Sequence, residues 1–441
     1  MLGVPNPGRQ PAYRLLGGEK HMKKSNMKRF GALVVGLSFV AVSCGGSDEA
    51  ATEDEAATDD CIAALTVGTI LPVTGSLAFL GPPEVIGADL AVADINAAGG
   101  INGSDVVLLQ GDSGDLTTDI ANTEVDRLLA AGASVIIGAA SSSVSKTVID
   151  KITGSGNVMF SPANTAADLT TYADNNLYFR TAPSDILQGK VIADLVVREG
   201  HTNAAILYRQ DSWGQGLFDS VSANFEAAGG TVVVAVAYAP DTQNTFDAEV
   251  DQVVAAAPDA IIILGFEESG PMIDTLHARG AGPTDIATYG SDGNISGLDK
   301  LVSDPAILLG MRGTEPSVDL TTITSFTDRL KAGGVADETY VYGAETYDAV
   351  IISALAAAVA GCSNGTLVGA AINDVTRGGE KCTTIADCLA LIEAGTEIDY
   401  DGIGGPYEFT DAGEPAEASY RIATFGPAGQ DNDVNEYIFA K

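Results

Sequence analysis

The chain has 441 residues, of which 46% are hydrophobic and 6% aromatic, and its formal net charge is −36. This length predicts two domains of ordinary size rather than one. The first 43 residues contain seven Lys and Arg and one acid, so the remainder carries a charge of −42. Such a charge argues against binding nucleic acid or an anionic membrane surface, and it is typical of a solubility adaptation, as in a saline habitat.

The N-terminal segment has the pattern of an export signal. Four basic side chains between residues 23 and 29 precede an apolar run over 30–42, which ends in small residues before Cys44. A basic region, a short apolar run and small residues before a cleavage point describe a secretory signal, and the run is too short to span a bilayer. Cys44 also resembles the modified cysteine of the bacterial lipobox, although Ala41 stands where Leu is usual. We therefore expect a lipid on Cys44, with a free or disulfide-bonded Cys44 as the alternative.

The beginning of the mature chain follows from this interpretation. Residues 1–43 are assigned to an N-terminal extension and lipoprotein signal peptide, with translation starting at Met1, Met22 or Met27. Residues 44–61 contain the lipidated cysteine and a stretch of Gly, Ser, Ala, Thr and acids without apolar periodicity. This composition predicts a disordered acidic linker.

From residue 65 onward, short apolar runs alternate with amphipathic stretches. Eight runs are predicted as strands: 65–71, 106–110, 134–138, 158–161, 204–208, 231–235, 260–265 and 286–289. A helix is predicted over 82–98, where prolines open the segment and two glycines close it. Alternating strands and helices with continuously apolar strands favour parallel sheets covered on both faces. The fold class is therefore α/β, with two doubly wound lobes in succession.

Polar loops follow several of these strands at the sheet edge where α/β proteins bind ligands. Among the first four predicted strands, two are followed by the loops 139–143 and 161–165, which are rich in hydroxyls and lead into helical segments. Hydroxyls and free amides at the start of a helix can bind a carboxylate or a similar anion. Among the last four predicted strands, two are followed by the loops 208–214 and 289–293, which add an aromatic residue and a carboxylate. Each of these features has an alternative explanation: the hydroxyls can cap helices, Trp213 can pack between the lobes, and Asp292 can belong to a turn.

Several motifs, in order, resemble the branched-chain amino-acid-binding proteins, the leucine/isoleucine/valine-type substrate-binding proteins of ABC importers. They are GTILPVTGSLAFLG at 68–81, GADLA at 87–91, DINAAGGING at 94–103, SPANT at 161–165, RTAPS at 180–184 and YGAETYDA at 342–349. The resemblance implies a periplasmic-binding-protein type 1 fold, with two Rossmann-like lobes that are joined by three hinge crossovers and close on a ligand. The first lobe would comprise 62–182 and 316–402, and the second 183–315 and 403–441.

The resemblance also implies the roles of individual residues. Ser142 and Thr165 would hold an α-carboxylate, while the Ala163 carbonyl and the Asp292 carboxylate would receive an α-ammonium group. The remaining residues of the expected ligand-binding set are Asn164 in the same loop, and the pocket walls Leu80, Trp213, Phe266 and Tyr342. Relatives often have Tyr in place of Trp213 and Glu in place of Asp292, so leucine is not assured as the ligand. Glu267 and Glu268 either face the cleft and favour a polar or cationic ligand, or are solvated loop acids.

Four cysteines remain after Cys44, and an exported chain can pair them in three ways. Cys382 and Cys388 are six residues apart around the start of a helix, and we expect them to bridge. Cys61 begins the first strand and Cys362 ends the helix that starts near Tyr347. In the implied fold both lie at the outer pole of the first lobe, and we expect a second bridge there.

The sequence contains little that suggests catalysis. Its three histidines, His21, His201 and His277, are scattered, and G-x-S-x-G, G-x-x-x-x-G-K-[ST] and H-E-x-x-H are all absent. A zinc site or a Ser-His-Asp triad is therefore poorly supplied, and we expect no catalytic residue, metal or cofactor.

The leading hypothesis is a monomeric solute receptor, anchored to a bacterial membrane only through its lipid and exposed on the cell surface or in the periplasm. It would deliver an amino acid or a similar small zwitterion to an ABC permease and ATPase complex. A receptor for amides or urea, or a sensor with the same fold, is the alternative. A lipidated surface hydrolase is a remote third hypothesis.

Overall fold

The computed structural model describes residues 61–239, 245–336, 340–431 and 436–441. The predicted signal peptide, Cys44 and residues 45–60 of the predicted linker lie outside the described residues.

The first sheet is built entirely from parallel strands. Its elements are β1 Thr66–Ile70, α1 Gly81–Ala97, β2 Val107–Leu109, α2 Ile120–Ala130, β3 Val135–Gly138, α3 Ser142–Gly154, β4 Val158–Ser161 and β5 Tyr178–Arg180. The strand order is β2-β1-β3-β4-β5. In register, Val67 of β1 pairs with Leu108 on one side and Val135 on the other. β3 and β4 are buried along their whole length, which explains their continuously apolar sequences.

The second sheet repeats this pattern and adds antiparallel strands at one side. Its first elements are α4 Asp185–Arg198, β6 Asn203–Arg209, α5 Ser212–Ala227, β7 Thr231–Tyr238, α6 Asp247–Ala256, β8 Ala260–Leu264, α7 Ser269–Ala278, β9 Ala287–Gly290, α8 Asp292–Ile295 and β10 Arg312–Pro316. The chain then returns to the first lobe with α9 Thr324–Ala332, α10 Gly343–Ala360, α11 Gly365–Ile372, β11 Glu380–Cys382, α12 Ile385–Glu393, β12 Ile398–Gly402 and β13 Gly405–Pro406. It ends in the second lobe with β14 Ala418–Gly426, β15 Gly429–Gln430 and β16 Tyr437–Ala440, giving the order β15-β14-β10-β9-β8-β6-β7 with β16 beside β14.

The predicted strands and the predicted helix are confirmed. The largest difference among the strands is at β7, which continues three residues beyond its expected end at 235. The strand β5 and the strands β10 to β16 were not predicted. β10 has the sequence RGTEP, which lacks the apolar run that predicts a strand. It lies within the sheet because the buried Glu315 carboxylate accepts a hydrogen bond from Arg421 of β14 at 2.7 Å.

The chain passes between the two sheets three times, after β5, after β10 and between β13 and β14. The last passage lies later than the boundary expected at 402/403, since β13 pairs with β12 and Gly413 accepts a hydrogen bond from the Arg180 amide of β5. The predicted α/β fold with two doubly wound lobes joined by three crossovers is thus confirmed.

α10 is the central helix of the first lobe. It has the length and mean hydropathy of a membrane span, the only such helix among the described residues, and 83% of it is buried. It packs chiefly on α1, and Gly87 of α1 is required there because a Cβ would lie 2.4 Å from the Gly343 carbonyl oxygen. This burial is expected of a core helix.

Candidate functional site

A narrow cavity with room for about one water molecule lies between the two lobes, beyond the carboxyl ends of their parallel strands. It brings together seven of the nine predicted ligand-binding residues: Leu80, Ser142, Ala163, Trp213, Phe266, Asp292 and Tyr342. Leu77, Ala140, Ser141 and Gly293 complete its wall. The ligand-binding roles of these residues remain predictions.

Hydroxyl and amide groups form the first-lobe side of the cavity. Ser141 caps α3, its hydroxyl accepting from the Val144 amide at 3.4 Å, so Ser142 begins the helix. The Ser142 hydroxyl accepts from the Ala166 amide at 3.3 Å, which ties the loop after β4 to this helix. Thr165 is buried, and its backbone N–H has no acceptor among the described residues. A helix N-terminus beside an unused amide provides donors for an anion.

Thr165 and Asp292 are each bonded across the cleft. The Trp213 indole N–H of the second lobe donates to the Thr165 hydroxyl at 2.9 Å. The Tyr342 hydroxyl of the first lobe donates to Asp292 Oδ2 at 2.7 Å. These bonds connect the lobes directly, and each involves a residue that is predicted to contact one end of the ligand.

Aromatic side chains form the second-lobe wall. Trp213 packs on Phe266 with ring centroids 4.7 Å apart, and the Arg209 guanidinium lies 4.0 Å from the Phe266 ring centroid. Gly293 is required beside them, because a Cβ there would lie 2.7 Å from the Gly265 carbonyl oxygen and 2.9 Å from the Trp213 ring. The wall is therefore closely packed and fixed in position.

Glu268 neither faces the cleft nor lies free in solvent. Its carboxylate accepts from Arg209 Nη1 at 2.7 Å, from the Tyr238 hydroxyl at 2.9 Å and from the Phe266 amide at 3.1 Å. The sequence analysis offered a cleft-facing acid or a solvated loop acid, and both explanations are wrong for Glu268. Its carboxylate instead pairs with Arg209 behind the aromatic wall.

Asn164 lies beneath the cavity rather than on it. Its side-chain amide donates to the carbonyls of Ala139 and Ala140 at 2.9 and 2.8 Å, and its oxygen accepts from the Tyr178 hydroxyl. Arg180 donates to the Asn164 carbonyl at 3.2 Å. With all of these groups engaged, the Asn164 side chain holds the loop in place, and this geometry does not support the predicted ligand contact.

Asp292 carries the negative charge of the cavity. Tyr342 and Gln188 each donate to it at 2.7 Å, and Gln188 is itself buried against Thr314. Burial raises the pKa of Asp292, and these two hydrogen bonds partly offset that rise. A carboxylate has lone pairs for further donors, so it can still accept from an ammonium group.

Two residues behind Asp292 were missed by the sequence analysis. Asp185 and Gln188 lie one turn apart in α4, and both are fully buried. Burial and the negative charge of Asp292 raise the pKa of Asp185, whose two carboxylate oxygens have no hydrogen-bond partner among the described residues. Gln188 contacts a residue 104 positions away, so no local pattern could have indicated it.

No cluster of three or more His, Cys, Asp or Glu side chains that could hold a metal ion occurs in the part of the chain that the structure describes.

The fold and the site together define a two-lobed receptor with a ligand cleft. Residues 64–430 match the periplasmic binding protein family, and the chain belongs to that family. Its members are solute-binding receptors rather than enzymes, and they act outside the cytoplasm. The predictions of family, of a non-enzyme and of an extracytoplasmic location are confirmed at this level.

Two curated relatives indicate the range of roles. The chain is 29% identical over 383 residues to the chemotactic signal transduction system substrate-binding protein BasB of Halobacterium salinarum, covering 83% of this chain and 88% of that protein. It is 32% identical over 232 residues to the Leu/Ile/Val-binding protein BraC3 of Rhizobium johnstonii, covering 52% of this chain and 61% of that protein.

Solved structures share the fold. One is the branched-chain amino acid transporter substrate-binding protein LivJ of Streptococcus pneumoniae in complex with isoleucine, with a TM-score of 0.71, 20% identity, and coverage of 85% of this chain and 99% of that chain. Another is a solute-binding protein of R. palustris in complex with benzoate, with a TM-score of 0.66, 18% identity, and coverage of 84% and 95%. The same fold therefore accepts chemically different ligands.

Proposed function

We propose that this chain captures a small amino acid or similar zwitterion between its lobes and delivers it to the permease and ATPase of an ABC importer. The single observation that supports this most is the polarity of the cavity. Ser141 and Ser142 line one side, with Thr165 buried beside them, and the Asp292 carboxylate lines the other. A ligand with both a carboxylate and an ammonium group satisfies both ends.

The charge of the cavity supports a solute that carries an amine. The free space between the lobes in this structure is about that of one water molecule, so in this proposal the ligand enters when the lobes move apart. A plain aromatic acid such as benzoate would leave Asp292 buried without a cationic partner, which is unfavourable. We therefore favour an α-amino acid over an acid without an amine.

Capture in this proposal requires lobe closure and no chemistry. The cross-lobe bonds of Trp213 and Tyr342 stabilise the closed arrangement, and a ligand that contacts both lobes would add to their effect. The lipid on Cys44 and attachment to the outer face of a membrane belong to the same proposal, as does the monomeric state.

A sensory role is the second candidate, and the similarity to BasB over 83% of the chain favours it. Both roles begin with the same closure and differ in the partner that recognises the closed form. Deletion of the chain, followed by measurement of uptake and of taxis toward the identified ligand, separates them. Lost uptake with unchanged taxis supports import, and the reverse result supports sensing.

The ligand class is tested by thermal-shift screening of the mature chain against amino acids, neutral amides, urea and simple carboxylates including benzoate. A ligand that binds only the native state raises the melting midpoint by mass action. We expect the largest shifts with small α-amino acids. Shifts confined to benzoate or to urea would overturn the zwitterion proposal.

A further inference from the structure

A second cavity, here called the hinge groove, lies where all three crossovers come together. It has room for several water molecules and shares no lining residue with the cleft. Thr181 and Pro183 contribute from the first crossover, Pro316 to Val318 from the second, and Tyr407, Pro415 and Glu417 from the third. A molecule in the hinge groove would therefore contact both lobes.

The wall of the hinge groove is mainly apolar, and its polar residues are two acids and the hydroxyl residues Thr181, Ser317 and Ser419. Prolines, Val318, Tyr407 and Phe439 form most of it, and Glu345 and Glu417 supply carboxylates, with no Lys or Arg among the lining residues. The Glu417 carboxylate is paired with the Lys441 ammonium at 2.8 Å, and that ammonium also lies 5.2 Å from the Phe439 ring centroid. The rim of the hinge groove thus already binds one ammonium group through an acid and an aromatic ring.

Glu345 has no such partner. Only 8% of its surface is exposed, and no ion pair to its carboxylate is formed by any described residue. Its backbone carbonyl accepts from Thr181, which holds the start of α10 against the first crossover. Ionising a carboxyl group that is nine-tenths buried at a mainly apolar wall costs free energy, and a cation in contact with it lowers that cost.

From this geometry we propose that the hinge groove is a second ligand site, which binds a small organic ammonium ion with its charge at Glu345 and its apolar body against the prolines and Tyr407. The proposal is independent of the ligand of the cleft. Since the occupant contacts both lobes, its binding is coupled to their arrangement, and by reciprocity the cleft ligand changes its affinity.

The protonation of Glu345 gives the site a pH signature. Burial raises the pKa of Glu345 to about 8. The titratable groups that interact with it are all acidic or phenolic, namely Glu84 of α1, Glu315 of β10, Asp348 and Tyr342 of α10 and its cap, and Tyr407 of the third crossover. A permanent cation binds the ionised form, so its affinity should rise by roughly ten-fold or more between pH 6.5 and 9.

The test titrates the mature chain with benzyltrimethylammonium chloride by calorimetry, because the charge of this probe does not change with pH. We expect saturable binding in the wild type, at least ten-fold weaker binding in Glu345→Gln, and no pH dependence of any residual affinity in that variant. Benzyl alcohol, which is neutral, should bind at least ten-fold more weakly than the cation. Glu380→Gln, at an exposed position of β11, is the matched control and should bind like the wild type.

A second variant protects the test against loss of folding in Glu345→Gln. Val318→Phe fills the hinge groove without changing charge and should also weaken binding at least ten-fold, with the circular dichroism spectrum unchanged. Undiminished affinity in both variants, or a loss of probe binding in Asp292→Asn with none in Glu345→Gln, overturns the proposal. An absence of saturable binding to the wild type at pH 9 would do the same.

Discussion

At the scale of single residues, the cleft combines unused donors with buried acids. Thr165 bonds to Trp213 across the cleft and has an unused backbone N–H, while Asp292 is held by Gln188 and Tyr342. Tyr342 has a φ of 62°, a backbone region that non-glycine residues rarely adopt. Such strain is often found at ligand sites, where surrounding contacts hold the residue in place.

Thr165→Ala tests the carboxylate end. It removes the hydroxyl that accepts from Trp213 and that would contact the ligand, so an amino-acid ligand should lose about 1–3 kcal/mol of binding free energy. Isothermal titration calorimetry measures the loss. Thr147→Ala on α3, whose hydroxyl bonds only within its helix, is the matched control. Equal affinities for the two variants would contradict the assignment of Thr165.

Asp292→Asn tests the ammonium end. The change keeps the shape of the side chain and removes its charge, so an ammonium-bearing ligand should bind at least roughly ten-fold more weakly. A neutral amide should be spared, and the ratio of the two affinities from calorimetry is the decisive quantity. An equal loss for both ligands would show that Asp292 acts through packing alone.

At the scale of elements, two disulfides stabilise the first lobe. Cys61, before β1, is bonded to Cys362 at the end of α10, and Cys382 of β11 is bonded to Cys388 of α12, as predicted. Beside the first bridge, the Ser363 amide donates to the Ile62 carbonyl at 2.7 Å. The bridge thus fixes the start of the described chain to the central helix.

The two bridges should differ in their effect on stability. Their sequence separations are 301 and 6 residues, so the chain-entropy model gives roughly 5–6 kcal/mol for the first bridge and about 2 kcal/mol for the second. Cys61→Ser with Cys362→Ser should therefore lower the melting temperature more than Cys382→Ser with Cys388→Ser. Scanning calorimetry without reductant measures both. The reverse order would contradict a dominant loop-entropy effect.

The packing of α1 on α10 buries a second acid. Glu84 is fully buried, both of its carboxylate oxygens lack a hydrogen-bond partner, and burial followed by the charge of Glu345 raises its pKa well above the usual value. Because the pKa of Glu84 is higher in the folded chain than in the unfolded chain, this residue destabilises the fold at high pH. The free energy of unfolding falls as the pH rises from the ordinary titration range of a glutamate to the raised pKa of Glu84.

Glu84→Gln should remove this dependence. At pH 8 the variant should melt at a higher temperature than the wild type, and the difference should shrink toward pH 5, where the Glu84 carboxyl of the unfolded chain begins to bind its proton as well. Melting curves between pH 5 and 8 measure this. Glu226→Gln, at an exposed site on α5, is the control and should leave the pH dependence of the melting temperature unchanged. A pH-independent difference for Glu84→Gln would contradict the argument.

At the scale of the whole molecule, the charge of −36 dominates. Described ion pairs such as Arg329 with Asp94 and Arg279 with Asp247 lie partly exposed on the surface, where each contributes little. Self-repulsion among the remaining acids opposes the compact state and is screened by salt.

Raising KCl from 0.1 to 1 M should therefore increase the melting temperature, by roughly 2–3 °C for each ~2 kcal/mol of relieved repulsion in a chain of this size. Differential scanning fluorimetry measures the shift. Sucrose of equal osmolality is the control, since it leaves the charge unscreened. A melting temperature that falls with salt would show that the surface ion pairs outweigh the repulsion.

The sequence by itself determined the alternation of strands and helices, the polar loops at the strand ends and both disulfides, because periodicity, loop chemistry and the fold implied by the motifs carry that information. The tertiary structure alone decided which partner each buried polar group has. Arg180 bonds to Glu414 across 234 residues, Asp292 to Gln188 across 104, and Glu268 to Arg209 across 59. A side chain at a strand end can face the cleft, as Trp213 does, or turn beneath it, as Asn164 does. Only the packing of distant segments sets that direction, because the energy of a buried polar group depends on the donors and acceptors brought to it.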